Sequence, residues 1–226
     1  MYKSNLIKTF FIDKDYQSLI NELSVITNRT DFESDYLARA YIEIGEYAKA
    51  SSLYADMGWL YQFGRCELLC GNYASAKQIW ADIKEDTPAS LWGKSLLEFI
   101  NLYVINIPSF FQIRAFLEVD LDALLNAKQF DFCENIVNGA HLLEKNNQES
   151  YKFIGRVFLN NNYIDLAMLF LQKAKDICYI DPEVHFMLGK CYLHKQDKTN
   201  AIKALNVSLE KGFGYFPAKR LLEQIK

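Results

Sequence analysis

The feature that most constrains this chain is an internal repeat of 34 residues in its C-terminal half. Gly155 recurs as Gly189, and Ala167 recurs as Ala201, each at that offset. The same offset relates further apolar and small residues, namely Ile154 and Leu188, Phe158 and Tyr192, Leu171 and Leu205, and Ala174 and Ser208. A fixed period of this length is typical of solenoids, in which each unit is stabilised by packing against its neighbours. The period predicts three consecutive units, at residues 114–147, 148–181 and 182–215.

The last unit shows how each repeat is expected to fold. Asp181 is a suitable N-cap, and Pro182 fits the first turn, where its missing N–H leaves no hydrogen bond unmade. Apolar residues then recur at helical spacing, and the polar run 195–200 predicts a turn before a second helix. Small residues such as Gly189 and Ala201 allow two antiparallel helices to approach closely. We therefore predict a pair of antiparallel helices in every unit.

This pattern resembles the tetratricopeptide repeat. That family places a small residue and an aromatic residue in the first helix, then an alanine, a large apolar residue and another alanine in the second. Two units match these positions, through Gly155, Phe158, Ala167, Leu171 and Ala174, and through Gly189, Tyr192, Ala201, Leu205 and Ser208. The N-terminal half follows the same pattern with less regular spacing. The resemblance implies an all-α fold, a right-handed superhelical solenoid of antiparallel helix pairs.

The regularity of the repeat divides the chain into three parts. Residues 1–107 are predicted to hold degenerate repeats, and residues 108–215 the three regular ones. Residues 216–226 are predicted to form a capping helix, because the last repeat would otherwise leave an apolar face in water.

A central segment, residues 87–113, interrupts this pattern. Thr87 and Pro88 predict the start of a helix, which an apolar stripe continues to Ile100. Residues 105–109 then read as a break rather than as a second helix. We therefore expect the solenoid to be irregular here.

Composition excludes several classes of protein. Half of the residues are hydrophobic, while glycine (10) and proline (4) are sparse, which argues against disorder and against a loop-rich β fold. The formal net charge is −3, so no overall positive field attracts nucleic acid. The apolar stretches are too short or too charged to span a bilayer, and residues 1–13 lack the features of a signal peptide. We therefore expect a cytoplasmic location and no membrane partner.

No catalytic or metal-binding constellation emerges from the sequence. The chain has no phosphate-binding glycine-rich loop and no nucleophile elbow, so we expect neither enzymatic activity nor a cofactor. Cys178, His185, Cys191 and His194 do not follow a compact zinc-ligand spacing. The five cysteines are widely spaced and odd in number, which predicts reduced, partly buried thiols rather than a disulfide framework.

The resemblance to the tetratricopeptide repeat also implies a binding groove, lined by the first helix of each pair. The residue that follows the small-residue position points into this groove. Along the chain these positions hold mostly basic residues, namely Arg39, Arg65, Lys94, Asp122, Arg156 and Lys190. The same face is expected to include Lys152, Asn160, His194, Tyr61 and Phe186.

Two interpretations of this basic ladder are open. It could grip an acidic or C-terminal peptide through charge-assisted hydrogen bonds. Alternatively, its members are ordinary solvated positions that pair with neighbours such as Asp35 and Glu43. Some members of the family hold the C-terminal carboxylate of chaperones. Here Arg156 replaces the expected asparagine, and Glu118 and Asp122 oppose an anion, so that activity is not carried over.

The leading functional prediction is an adaptor or scaffold that binds a peptide or protein segment, an acidic one if the ladder is its site, in the groove. The alternative is a self-assembling protein, in which an exposed end or the break at residues 105–113 mediates a homo-oligomer. Nucleic-acid binding comes third, because the chain is acidic overall and has no basic runs.

Overall fold

The computed structural model describes residues 2–144 and 149–225, and all regular secondary structure in this part of the chain is helical. The predicted all-α class is therefore confirmed. The predicted boundary between residues 147 and 148, and Lys226 of the predicted capping helix, lie outside the described residues. The chain forms two compact units, one of residues up to Asn101 with Ala123–Phe132, the other of Leu102–Asp122 with the residues from Cys133 onwards.

The first unit is built from short helices that pack in sequence order. These helices are α1 (Tyr2–Ile12), α2 (Tyr16–Ser24), α3 (Asp31–Glu43), α4 (Tyr47–Asp56), α5 (Leu60–Leu69), α6 (Tyr73–Ala81) and α7 (Pro88–Ile100). Thr87 caps α7 through a reciprocal bond with Ser90, which confirms the start predicted from Thr87 and Pro88. Trp80 and Trp92 are fully buried, so large aromatic side chains fill the core of this unit.

The second unit contains most of the residues of the three predicted repeats. Its elements are α8 (Phe110–Gln112), a π-helical turn (Ile113–Leu117), α9 (Glu118–Asn126), α10 (Phe130–Asn138), α11 (Ala140–Glu144), α12 (Glu149–Asn160), α13 (Ile164–Ile177), α14 (Pro182–His194), α15 (Lys198–Lys211) and α16 (Phe216–Ile225). The end of α9 and the start of α10 belong to the first unit. The sequence-based division into 1–107, 108–215 and 216–226 stays a prediction.

Two helix pairs in the second unit, α12 with α13 and α14 with α15, are packed closely at glycine. A Cβ atom on Gly155 would lie 2.7 Å from Leu171 Cγ, and one on Gly189 would lie 2.8 Å from Leu205 Cγ. Both distances are shorter than a van der Waals contact, so the small residue lets the large apolar side chain of the second helix fill the interface. This is the physical reason for the small residue at each position.

The turns between paired helices repeat with the same period. Lys128, Asn162 and Gln196 lie 34 residues apart and all have left-handed backbone, with φ of 60°, 63° and 61°. The residue after each turn donates its N–H to a carbonyl five residues earlier, as Tyr163 does to Phe158 at 2.8 Å. The same turn geometry at three positions shows that the repeat is structural as well as sequential.

The C-terminal helices have the predicted ends. Asp181 caps α14 by accepting from the N–H of Glu183 at 2.9 Å, with Pro182 in the first turn. Helix α16 packs on α15, where Ala218 and Leu222 form a buried cluster with Leu205. It covers the last repeat as a capping helix should.

The central segment lacks regular structure between the end of α7 and Ser109, which caps α8. Several large apolar side chains are exposed there, namely Leu102, Tyr103, Ile105, Ile107 and Phe111. In the π-helical turn that follows α8, backbone hydrogen bonds join residues five apart instead of four. The predicted irregularity at residues 105–109 therefore coincides with non-helical backbone.

Candidate functional site

The 34-residue register defines one face of the second unit, formed by α9, α12, α14 and α16. One row of equivalent positions holds Glu118, Lys152, Phe186 and Arg220. The next row holds Asp122, Arg156, Lys190 and Gln224, and a third holds Asn160 and His194. Asn126 has the same offset in the sequence but belongs to the first unit. The predicted groove residues of the regular repeats thus lie on corresponding helix positions, and their surroundings differ sharply from one end of the face to the other.

Arg156 lies between two carboxylates rather than facing solvent alone. Its Nη1 donates to Glu118 Oε2 at 2.8 Å, and its Nη2 donates to Glu183 Oε1 at 2.6 Å. The guanidinium therefore links α9, α12 and the first turn of α14. A guanidinium that bridges two carboxylates in this way fixes the geometry of the helices as well as neutralising charge.

Lys152 is the most enclosed charged group on this face. Its side chain is 8% exposed and lies 2.9 Å from Asp181, 3.3 Å from Glu149 and 3.4 Å from Glu183. Burial alone would lower the pKa of Lys152, but the hydrogen bond and charge of Asp181, with Glu149 and Glu183, raise it above the ordinary value. We refer to the six residues Glu118, Glu149, Lys152, Arg156, Asp181 and Glu183 as the charge network.

The charge network holds four carboxylates and two cations, so it carries an excess of two negative charges. Burial raises the pKa of Glu118 despite Arg156, and the nearby charge of Glu183 raises it further. Next to the network, Asn161 donates to Asp122 Oδ1 at 2.7 Å and to the carbonyl of Val157 at 2.9 Å. This part of the face is acidic, and both of its cations are paired with carboxylates of the same chain.

A cleft of about 490 Å³ lies at the other end of this face, between α14 and α16. Helix α14 contributes Phe186, Lys190, Leu193 and His194, and helix α16 contributes Phe216, Arg220 and Leu221. We call this the α14–α16 cleft. Among the described residues that line it, none is acidic, and two carry a permanent positive charge. The site is an apolar cleft with a basic rim.

Tyr215 lies next to Phe186, which lines the α14–α16 cleft. Its ring packs edge-on against Phe186, with centroids 5.7 Å apart. Burial raises the pKa of the Tyr215 phenol, and the charge of Glu183 raises it further. Phe186 also packs against the cluster that joins α15 and α16. The apolar floor is thus anchored in the core, while Phe216 at the rim is 69% exposed.

The predicted groove residues of the first unit have partners of their own. Arg39 lies 3.7 Å from Asp35 and over the ring of Phe11, and Lys94 lies 3.1 Å from Asp86. Tyr61 stacks on Trp80, with centroids 5.7 Å apart, and Arg65 lies partly buried on α5. The ladder as a ligand site stays a prediction, and the Arg39–Asp35 pair matches the alternative interpretation at that position.

Two further predicted residues, Asn160 and His194, are exposed at the ends of α12 and α14. His194 lines the α14–α16 cleft, as do Phe186 and Lys190. Arg220 was missed because α16 was interpreted only as a cap. The signal was present, since Arg220 lies 34 residues after Phe186.

The five cysteines are free thiols, and Cys66, Cys133 and Cys191 are buried. Burial raises the pKa of the Cys66 and Cys133 thiols to about 12 and that of Cys191 to about 11. These thiols stay protonated at neutral pH and behave as small apolar groups. Across residues 2–144 and 149–225, no three histidine, cysteine or acidic side chains are grouped to hold a metal ion.

One repeat of the chain matches a known protein family. The sequence profile of the family described as Tetratricopeptide repeat matches residues 183–211, which span α14 and α15. A tetratricopeptide repeat is therefore present at α14 and α15. The resemblance noted in the sequence is therefore confirmed for the repeat that borders the α14–α16 cleft.

Other comparisons are more distant. A solved structure, described as the crystal structure of the APC/C hetero-tetramer Cut9-Hcn1, is similar over 98% of this chain, at 16% identity and a TM-score of 0.41. The chain spans 42% of the length of that protein. Among characterised proteins, none matches this sequence.

Among the described residues, none of the helices combines the length and the apolar character needed to cross a bilayer.

Proposed function

We propose that this chain is a protein-interaction scaffold that binds a segment of another protein on the face formed by α9, α12, α14 and α16. The observation that carries the proposal is the α14–α16 cleft, which combines an apolar floor with Lys190 and Arg220 at its rim. Extended surfaces made of successive repeats are suited to binding protein segments. An anchoring side chain in a pocket with charged groups around it is the usual form of such an interaction.

Of the predicted groove residues, Phe186, Lys190 and His194 are proposed to contact the bound segment directly. Lys152 and Arg156 are proposed to act differently, because their nitrogen atoms already bind carboxylates of the same chain. They hold α9, α12 and α14 together and so position the helix that carries Lys190.

Selection from a library of displayed random peptides tests this proposal and does not require the natural partner to be identified. Enriched peptides would be measured against the wild type, Arg220→Glu and Lys219→Glu. Lys219 is an exposed neighbour on α16 that does not line the cleft, so it controls for charge alone. We expect peptides that lose binding to Arg220→Glu and keep it with Lys219→Glu. Equal binding to both variants would place the site elsewhere, and a failure to enrich any peptide would contradict the scaffold function.

Self-assembly is a second proposal, favoured by the apolar surface of the central segment. Tyr103 and Ile105 are each 66% exposed and Phe111 is 79% exposed, and residues 102–112 contain no charged side chain. Apolar patches of this kind often mark interaction surfaces. Light scattering should give a mass above that of one chain, and Ile105→Asp should return it to the monomer value. A monomeric wild type at high concentration would exclude this proposal.

A further inference from the structure

On the basis of the proposed function, we infer that the α14–α16 cleft binds a segment with one large apolar side chain beside a short acidic run. We infer also that the charge network limits the length of that run. The occupant is thus a segment with a few acidic residues next to its anchor, not a long acidic tract. Three features of the second unit support this.

The first feature is the chemistry of the cleft. Phe186, Leu193 and Leu221 offer an apolar floor, which fits an aliphatic or aromatic side chain. Lys190 and Arg220 come from two different helices and border the same cleft. Charge complementarity therefore selects carboxylates beside the apolar anchor, because a basic segment would meet two like charges.

The second feature is the position of the charge network on the same helix. Glu183 precedes Lys190 by seven residues, or about two turns, so both side chains lie on one face of α14 roughly 10 Å apart. The Glu183 side chain is 35% exposed and that of Glu118 is 30% exposed. An acidic run that continues from the cleft towards α12 therefore meets accessible carboxylates within about two helical turns.

The third feature is the charge balance of that neighbouring surface. The two cations of the charge network are already shared among its four carboxylates. Arg156 and Lys152 thus have little capacity to receive a further anion. Since charges are screened over about 8 Å at physiological ionic strength, repulsion acts on the residues next to the cleft and not on distant ones. The carboxylates of the charge network therefore limit the length of the acidic run.

The test uses synthetic peptides labelled with fluorescein and measured by fluorescence anisotropy. Each peptide has a Leu-Phe core in a serine and glycine background. The first probe carries two glutamates on one side of the core. The second carries four glutamates on each side, eight in total, and the third carries two lysines on one side. Placing acidic residues on both sides of the second probe makes the result independent of binding direction.

We expect the two-glutamate probe to bind at least tenfold more tightly than the lysine probe. Arg220→Gln and Lys190→Gln should each weaken its binding about fivefold and reduce its salt dependence, whereas Lys219→Gln should change it less than twofold. The eight-glutamate probe should bind at least threefold more weakly than the two-glutamate probe. Glu118→Gln should reduce that difference, because it removes one of the accessible carboxylates.

Each contrary result has a defined meaning. Equal or tighter binding of the eight-glutamate probe would overturn the length limit, and equal binding of the lysine probe would overturn the acidic preference. If none of the probes binds while library peptides still depend on Arg220, the inference is wrong and the proposed function stands. If the binding of library peptides does not depend on Arg220 either, the inference and the proposed function are both wrong.

Discussion

The charge network and the α14–α16 cleft occupy equivalent positions in the repeat register, yet they are opposite in character. Lys152 and Arg156 of α12 correspond to Phe186 and Lys190 of α14. The two α12 cations bind carboxylates from their own chain, and the Lys152 side chain is 8% exposed. Lys190, one repeat later, borders an open apolar cleft. The same position can therefore hold a structural cation in one repeat and a candidate ligand contact in the next.

This difference follows from what the neighbouring helix supplies. Helix α9 presents Glu118 to Arg156, and the start of α14 presents Asp181 and Glu183 to α12. Helix α16 contributes Arg220 instead, so two basic residues from different helices line the cleft. An internally neutralised cation stabilises the solenoid, whereas cations that face each other across a cleft favour an anion brought by a partner.

The largest expected contrast is between Lys152→Met and Lys190→Met. Removal of the Lys152 ammonium leaves three carboxylates close together in a mostly buried place, which should lower the free energy of unfolding by about 3 kcal/mol. Lys190→Met should change it by less than about 0.5 kcal/mol, since this residue lines an open cleft. Urea denaturation followed by far-UV circular dichroism at neutral pH measures both. Similar values for the two variants would show that the repeats do not differ as described.

A smaller contrast of the same kind is expected between Arg156→Gln and Arg220→Gln. Glu118 and Glu183 lose their shared guanidinium in the first variant, at a cost of about 1.5 kcal/mol after allowance for their partial exposure. Arg220→Gln should leave the urea midpoint unchanged and affect only peptide binding. If Arg156→Gln kept full stability and lost peptide binding, Arg156 would be a ligand residue after all.

These contrasts show how far the sequence could predict the molecule. Helix pairs, their turns and the cap at Asp181 depend on residues within a few positions of one another, so the 34-residue period and local capping rules identify them. The π-helical turn at Ile113–Leu117 had no such local signal. It lies where the irregular central segment meets the first predicted regular repeat.

The site was harder to predict for a different reason. The register identified Arg156 and Lys190 as equivalent, but a register does not report which carboxylates lie opposite each one. Glu118 is 38 residues before Arg156 and Glu183 is 27 residues after it, so their pairing depends on how three helices pack. Position was predictable from the sequence, whereas electrostatic surroundings required the structure.

The third prediction compares two adjacent asparagines at the end of α12. Asn161→Ala removes hydrogen bonds to Asp122 and to the carbonyl of Val157, so it should cost about 1 kcal/mol. Asn160→Ala should cost less than about 0.3 kcal/mol, because Asn160 is exposed. The urea midpoints of the two variants give the difference. A larger loss of stability in Asn160→Ala than in Asn161→Ala would mean that the exposed Asn160 stabilises the fold.

The smallest expected effect is that of Glu118→Gln, and it depends on pH. Burial and Glu183 raise the pKa of Glu118 above its ordinary value, so its ionised form is less favourable in the folded chain than in the unfolded one. At neutral pH the ionised Glu118 therefore lowers the free energy of unfolding. This loss is relieved as the pH falls from the pKa of Glu118 in the folded chain towards its pKa in the unfolded chain, about 4.3. The substitution should stabilise the chain at neutral pH by at most about 0.5 kcal/mol, since Arg156 keeps its ion pair with Glu183.

That gain should disappear when the urea midpoints are measured near pH 4, where Glu118 of the wild type is protonated and resembles glutamine. The matched control is Glu223→Gln, an exposed residue of α16, which should show neither the gain nor its loss. A loss of stability in Glu118→Gln at neutral pH would mean that the Glu118–Arg156 bond contributes more than the burial of the carboxylate costs. The charge network would then be a net source of stability at each of its ion pairs, and its excess negative charge would not weaken the fold.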